Sequence, residues 1–252
     1  MTEAIDFATV RFSTDDLPEK DRVAMWREQY GYAVLGVDIE PAEDTLFQAA
    51  HASRHLPGLN LQLGTLSAAR ITRTRKFIAD GNDDLALVVN LTGAVALSAR
   101  GREVVLRERD AVLMSSAEVT AFHRFSPGRT FGLQIPRSML SPLVTDIDAA
   151  VMRHITRRSE ALKLLIGYSS TLLDDGLTTS GLRRLVVSHI HDLVALTLGA
   201  TRDAAGAAQD RGVRAARLTA AKTYITENSD RRDISIGAVA ARSEGSSATC
   251  CR

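Results

Sequence analysis

The sequence predicts an α+β protein, an antiparallel β-barrel or sandwich preceded by one helix and followed by a helical hairpin. Three observations predict it. Short apolar runs recur about every ten residues between Thr45 and Arg137. No segment among them is long enough for the crossover helix that a parallel sheet requires. On either side the apolar period lengthens to helical spacing.

The first helix falls in "STDDLPEKDRVAMWREQYGY", where Ser13 or Thr14 offers a cap and Pro18 stands in the first turn. Val23, Trp26 and Tyr30 give it one apolar face, suited to packing on a sheet edge. Leu59, Leu61 and Leu63 then alternate with polar residues, the period of a half-buried strand. "LALVVNL" (Leu85–Leu91) reads as a core strand, and "AVALSARGREVVL" as two strands joined at Arg100–Gly101. "DAVLMSS", "EVTAFHRF" and "TFGLQI" continue the series.

Beyond "IPRSMLSPL" helices are expected over Ser159–Leu173, through Leu162, Leu165, Ile166 and Ser169, and from a capping Ser180 onward. The second places Leu182, Leu185, Val186, His189, Leu193 and Leu196 at helical spacing. That apolar surface is read as a homodimer interface, with cover for the sheet as the alternative. "ATRDAAGAAQDRG" reads as a linker. "VRAARLTAAKTYITENSD" follows as a helix with Leu218, Ala221, Tyr224 and Ile225 on one face. The expected divisions are 1–141 for the sheet domain with its helix, 142–200 for the helical region, 201–212 for the linker and 213–252 for a last domain.

Charge excludes a global attraction to nucleic acid or membrane, since 31 Lys and Arg face 30 Asp and Glu. Residues 202–252 alone hold nine basic against six acidic side chains, a local excess suited to a few phosphate contacts. The start is acidic and lacks the apolar stretch of a signal peptide, and no run is long enough for a membrane helix. Cys250 and Cys251 are adjacent at the end and staple nothing, which points to a reducing, cytoplasmic setting.

Catalytic signatures are missing: there is no nucleophile elbow, phosphate-binding glycine loop or metalloprotease helix. His51 and His55 lie four apart in an expected strand, about 13 Å along it and too far to share an ion. His189 and His191 point to nearly opposite sides of a helix, and His123 stands alone. No metal, cofactor or enzymatic activity is therefore expected. Asp83–Asp84, Asp146/Asp148 and Asp174–Asp175 sit at turns or helix ends, as solvated caps do. Arg70 and Arg73 in "AARITRTRKF", together with His123, are the candidate ligand-binding residues, placed to meet an anionic or carboxylated small molecule at a barrel mouth. A solvated strand face is the alternative.

The order of these parts resembles the AraC/XylS family of transcription regulators, in the branch with an AraC-binding-like sensor domain. "GREVVLRERDAVLMSS", "FGLQIPR", "VSHIHDLVALTLGA" and the late "RLTAAKTYITENSDRRDISIGAVAARS" carry the resemblance. It implies a cupin-like barrel that binds a small effector, helices that form a homodimer, and helix-turn-helix motifs that read promoter DNA. "RLTAAKTYITEN" is similar to the helix leading into the first motif, and "SIGAVAARS" to its positioning helix, with Ile236, Val239 and Ala240 as core positions. "SEGSSATCCR" departs from the pattern where a recognition helix is due, so the expectation is a truncated, partial helix-turn-helix. Residual DNA contacts would then fall to Arg231, Arg232 and Arg242. Two other readings remain open: a metal-dependent cupin enzyme, and a dimerisation module that inhibits full-length relatives.

Overall fold

A computed structural model of the chain describes residues 9–43, 45–170, 172–173, 179–206 and 208. Strand β1 (Val10–Ser13) leads to helix α1 (Glu19–Trp26), whose N-cap is Pro18. Neither Ser13 nor Thr14 caps it. Ser13 ends the strand, and the Thr14 hydroxyl donates to the Ala49 carbonyl and accepts from the Ala49 N–H. The chain continues from α1 as a π-helix over Arg27–Leu35, stopped by Gly36 in the left-handed region at φ 61°.

Eleven further strands follow β1 among the described residues. They are β2 (Asp38–Pro41), β3 (Ala49–Leu56), β4 (Leu59–Leu66) and β5 (Ala69–Arg73), then β6 (Leu85–Asn90), β7 (Val95–Ala99), β8 (Arg102–Leu106) and β9 (Ala111–Ser115), and last β10 (Thr120–Arg124), β11 (Gly128–Ile135) and β12 (His154–Ile155). One-turn helices α2 (Arg75–Ile78), α3 (Arg137–Leu140) and α4 (Ile147–Ala150) interrupt them. The strands form a seven-stranded sheet, β1-β3-β4-β11-β6-β9-β12, and a five-stranded sheet, β2-β5-β10-β7-β8. All the strand pairs are antiparallel, giving a cupin-like sandwich. The β7–β8 hairpin turns at Arg100 and Gly101, both with positive φ (53° and 69°), as a two-residue hairpin matched to strand twist requires.

Alternation decides what each face of the large sheet does. Leu61, Leu133, Leu87 and Leu113 stand in register across β4, β11, β6 and β9, and all four are fully buried. They share one hydrophobic cluster with Leu162 and Leu165 of α5 (Glu160–Ser170) and with Ile190 and Val194 of α6 (Ser180–Leu198). This helical hairpin covers the outer face of the large sheet. His191 pins it by donating from Nε2 to the Gly58 carbonyl at 2.9 Å, on the β3–β4 turn. Arg54 on β3 reaches the Leu172 carbonyl from the other side.

The cap of α6 is Thr179, not Ser180. Its hydroxyl accepts from the Leu182 N–H at 3.2 Å. The helix buries Val186, Val187, Ile190, Val194, Ala195 and Leu198. The chain divides into two compact units, Met1–Thr201 and Arg202–Arg252. In the second, residues 202–206 and 208 are helical, so the stretch read as a linker begins as helix, in keeping with its alanines. The rest of 209–252 lies outside the described residues, including the expected linker end and the partial helix-turn-helix.

Because Leu133 is fully buried beneath the helical hairpin, Leu133→Ala should cost about 3–4 kcal/mol in urea denaturation. Leu164→Ala, at a side chain 64% exposed on α5, should stay within about 0.5 kcal/mol of the unmodified chain.

Candidate ligand cavity

The inner faces of the two sheets enclose a cavity of about 210 Å³. On β10 the inward residues are Thr120, Phe122 and Arg124, set opposite Arg73, Ile71 and Ala69 of β5. On the large sheet Gln62 and Gly64 of β4 face inward beside Gly132 and Thr130 of β11. The two glycines open this wall. A Cβ on Gly64 would lie 2.5 Å from Nδ1 of His51, so glycine is what lets that ring lie flat over the strand.

The N-terminal helices close one end. Trp26, the sole tryptophan of the chain, is fully buried and donates its indole N–H to Nε2 of His51 at 2.9 Å. Because Nε2 accepts, the neutral ring carries its proton on Nδ1. Tyr30 stacks on the same imidazole at 3.8 Å and 20°. Burial lowers the His51 pKa to about 3 and pushes the Tyr30 phenol far above its usual range, so both are uncharged at neutral pH. The trio is an aromatic cap in which the indole N–H and the imidazole satisfy one another and the phenol ring stacks on the imidazole.

Two arginines enter this interior, and they differ. Every nitrogen of Arg73 is used. Nε donates to the Ser116 carbonyl at 2.6 Å, Nη1 to the Gly36 carbonyl at 2.8 Å, and Nη2 to both oxygens of Asp80 at 2.9 and 2.8 Å. These bonds hold the Asp80 carboxyl below its usual range. Arg124 is buried too, yet it bonds only the Thr92 carbonyl, at 3.2 Å, and the Thr130 hydroxyl, with Phe122 beneath its guanidinium at 5.5 Å. Among the described residues no carboxylate pairs with it, and its Nε has no partner. Burial lowers its pKa to about 10, which leaves it charged at neutrality.

The sequence-derived candidates divide accordingly. Arg73 lines the cavity, with its guanidinium committed to the frame. Arg70 and His123 need correction: they pair across β5 and β10 on the outer face, both exposed, with the His123 ring against Phe125 at 4.4 Å. Phe122 and Arg124, on the inward parity of β10, are absent from the sequence-derived candidates. The apolar helix face of Trp26 and Tyr30, expected at a sheet edge, instead closes the cavity. Nothing local in the sequence marks His51 or Gln62 as interior.

On α6, Val186 must be struck from the interface set because it is buried in the core, and His189 takes the Tyr168 hydroxyl at 3.2 Å within its own hairpin. Leu193 is half-buried against that core. Leu182, Leu185 and Leu196 remain exposed. Arg231, Arg232 and Arg242 lie outside the described residues. Among the described residues no three His, Cys, Asp or Glu side chains are grouped to hold a metal, and no helix is long and apolar enough to cross a membrane.

Residues 26–199 match the family profile of the AraC-binding-like domain. The fold is similar to the crystal structure of the AraC-like transcriptional activator CuxR, with a TM-score of 0.62 at 17% identity over 93% of this chain and 84% of that one. Smaller overlaps occur with a putative ethanolamine utilization protein of Salmonella typhimurium (TM-score 0.30, 11% identity, 38% of this chain and 73% of that one). A cupin superfamily protein of Desulfitobacterium hafniense overlaps similarly (TM-score 0.30, 9% identity, 38% and 82%). A search of curated protein sequences finds no match.

His51 has a folded-state pKa below its ordinary value of 6.5, so the folded chain binds fewer protons than the unfolded one. Its contribution to stability is complete above that value and is lost as pH falls toward the folded pKa of about 3. Between pH 7.5 and 5 the unmodified chain should lose up to about 2 kcal/mol more than a His51→Leu variant, measured by urea denaturation followed through Trp26 fluorescence.

Proposed function

The chain belongs to the AraC-binding-like domain family, and from that premise we propose that it is the effector-sensing and dimerising part of an AraC-type transcription regulator. A small molecule entering the cavity is the signal. The observation that carries this reading is the cavity itself, enclosed by two sheets, capped by Trp26 and Tyr30 and lined by a few polar groups among apolar walls, as ligand sites are.

Pairing through α6 is the second part of the proposal. Leu182, Leu185 and Leu196 are 42%, 48% and 40% exposed and fall on one side of the helix, with Leu193 between them. Three such leucines along one helical stripe suit a second copy of the same helix. Promoter DNA would be contacted from the second unit, with Arg231, Arg232 and Arg242 on phosphates. In this reading the chain is a cytoplasmic regulator with no catalytic step. The metal-dependent enzyme reading lacks a grouped set of ligands among the described residues.

Gly132 faces the cavity, and a Cβ there meets nothing nearer than Gln62 at 3.8 Å, so Gly132→Phe should fill the space without breaking the strand. In a thermal-shift screen, compounds that stabilise the unmodified chain should lose their effect on this variant. A ligand at a hundred times its Kd supplies about 2.7 kcal/mol of stabilisation to lose. Hits that act equally on both proteins would place the binding elsewhere and defeat the cavity reading.

The dimer has its own test. Leu185→Asp should sediment as a monomer where the unmodified chain is a dimer, with stability changed by no more than about 0.5 kcal/mol because the side chain is outside the core. A monomeric unmodified chain at micromolar concentration would remove this part of the proposal.

A further inference from the structure

Resting on the reading of this cavity as an effector site, we propose that its ligand is a small monocarboxylate, with the carboxylate held by Arg124 and Gln62 and an apolar body against Trp26, Tyr30 and Phe122. The argument begins with an imbalance of charge. Two guanidinium groups reach the lining of the cavity, and no Asp or Glu side chain lines it. Arg73 is neutralised by Asp80 from outside. Arg124, 1% exposed, has only neutral oxygens around it.

Taking an unpaired charge out of water carries a large desolvation penalty, yet the fold is shaped to keep this one. A Cβ on Gly128 would lie 2.3 Å from Nη1 of Arg124, and one on Gly93 would lie 3.2 Å from it. The absence of side chains at these two positions leaves room for the guanidinium and for the Thr92 carbonyl it bonds, which a Cβ on Gly128 would also meet at 2.3 Å. A carboxylate meets its geometry with paired, charge-assisted hydrogen bonds, and Nε, now without a partner, is one of the donors such a fork uses.

A second donor lines the same cavity. Nε2 of Gln62 is buried and also without a partner among the described residues, whereas Gln134 on the same wall is committed to Asp84 at 3.1 Å. One uncompensated positive charge calls for one negative charge. A phosphate dianion would need another cation, and Arg73 is already occupied. The size of the space sets the body: an engineered apolar cavity of about 150 Å³ accepts benzene, and this one is about 210 Å³. A one-ring or short-chain acid fits.

The test uses the full chain, with benzoate and hexanoate as probes, benzamide as the neutral counterpart, phenylphosphonate as the dianion and chloride as the bare anion, all by calorimetry. The carboxylates should bind more tightly than the other three. Arg124→Met should weaken benzoate roughly 10- to 100-fold, the worth of a hydrogen bond to a charged group, and leave benzamide unchanged. Should that variant not fold, Gln62→Leu should weaken benzoate by roughly 5-fold and leave benzamide unchanged. The proposal is overturned if benzamide or phenylphosphonate binds as tightly as benzoate, if chloride alone competes fully with it, if neither carboxylate binds, or if the variants retain benzoate affinity. Neutral compounds whose binding is lost in Gly132→Phe would sink the carboxylate assignment while leaving the effector cavity standing.

Discussion

The large sheet is apolar on one face and mixed on the other, and the fold is built around satisfying both. Leu61, Leu87, Leu113 and Leu133 form a fully buried row across four strands, and the α5–α6 hairpin packs over that row in one hydrophobic cluster. Each such leucine contributes about 1.5–3 kcal/mol on burial. With the core supplied on that side, the opposite face need not be packed solid. There the alternate positions can hold Gln62, Gly64, Thr130 and Gly132, small or polar residues that a single-core sandwich could not leave loosely filled. The cavity is therefore a consequence of the helical layer. A ligand touching one face of β4 and β11 presses on strands whose other face seats α6, the helix proposed to pair.

Closing the cavity takes a second set of interactions, and these are polar. Arg73 joins three separate segments: the end of the π-helix at Gly36, the turn at Asp80 and the β9–β10 connection at Ser116. Gly36 fits because a Cβ there would lie 2.3 Å from the Arg73 Nη1, and because its φ of 61° ends the helix. Trp26 and Tyr30 are thereby held over His51. A separate hydrophobic cluster of Trp26, Tyr30, Ile39, Phe47 and Leu66 backs them. The lid rests on its own small core, fastened to the sheets by Arg73, by Arg27 on Asp38 and Ile39, and by the indole hydrogen bond to His51.

Much of this architecture was legible in the chain. Strand periods announced the sheets, Arg100–Gly101 announced its hairpin, and the late leucines announced the helical layer. What escaped was decided by tertiary contact. Thr14 offers a cap but is drawn to Ala49 across the sheet, leaving Pro18 to begin the helix. The widening of α1 into a π-helix depends on seating Trp26 against Gly31, where a Cβ would come within 2.6 Å of the indole ring. On α6 the helical spacing of six residues was right, yet spacing cannot say which flank of an apolar stripe meets the sheet. Val186 fell on the core side, while Leu182 and Leu185 fell outside it.

The arginines show the same limit in its sharpest form. Arg70 and Arg73 are three apart on one strand, and a strand sends odd separations to opposite faces. They could never share an interior. Pairing then settles which one enters: Arg73 lies opposite Thr120 and Arg70 opposite His123, so admitting Arg73 expels both Arg70 and His123 and brings in Arg124 with Phe122. A single bit of register thus exchanges one plausible anion site for another. Phe122 was the clue, since an aromatic with alternating neighbours Thr120 and Arg124 marks the inward parity of β10. Only the fully paired sheet shows that, of the two inward arginines, Arg73 meets a carboxylate and Arg124 meets none among the described residues.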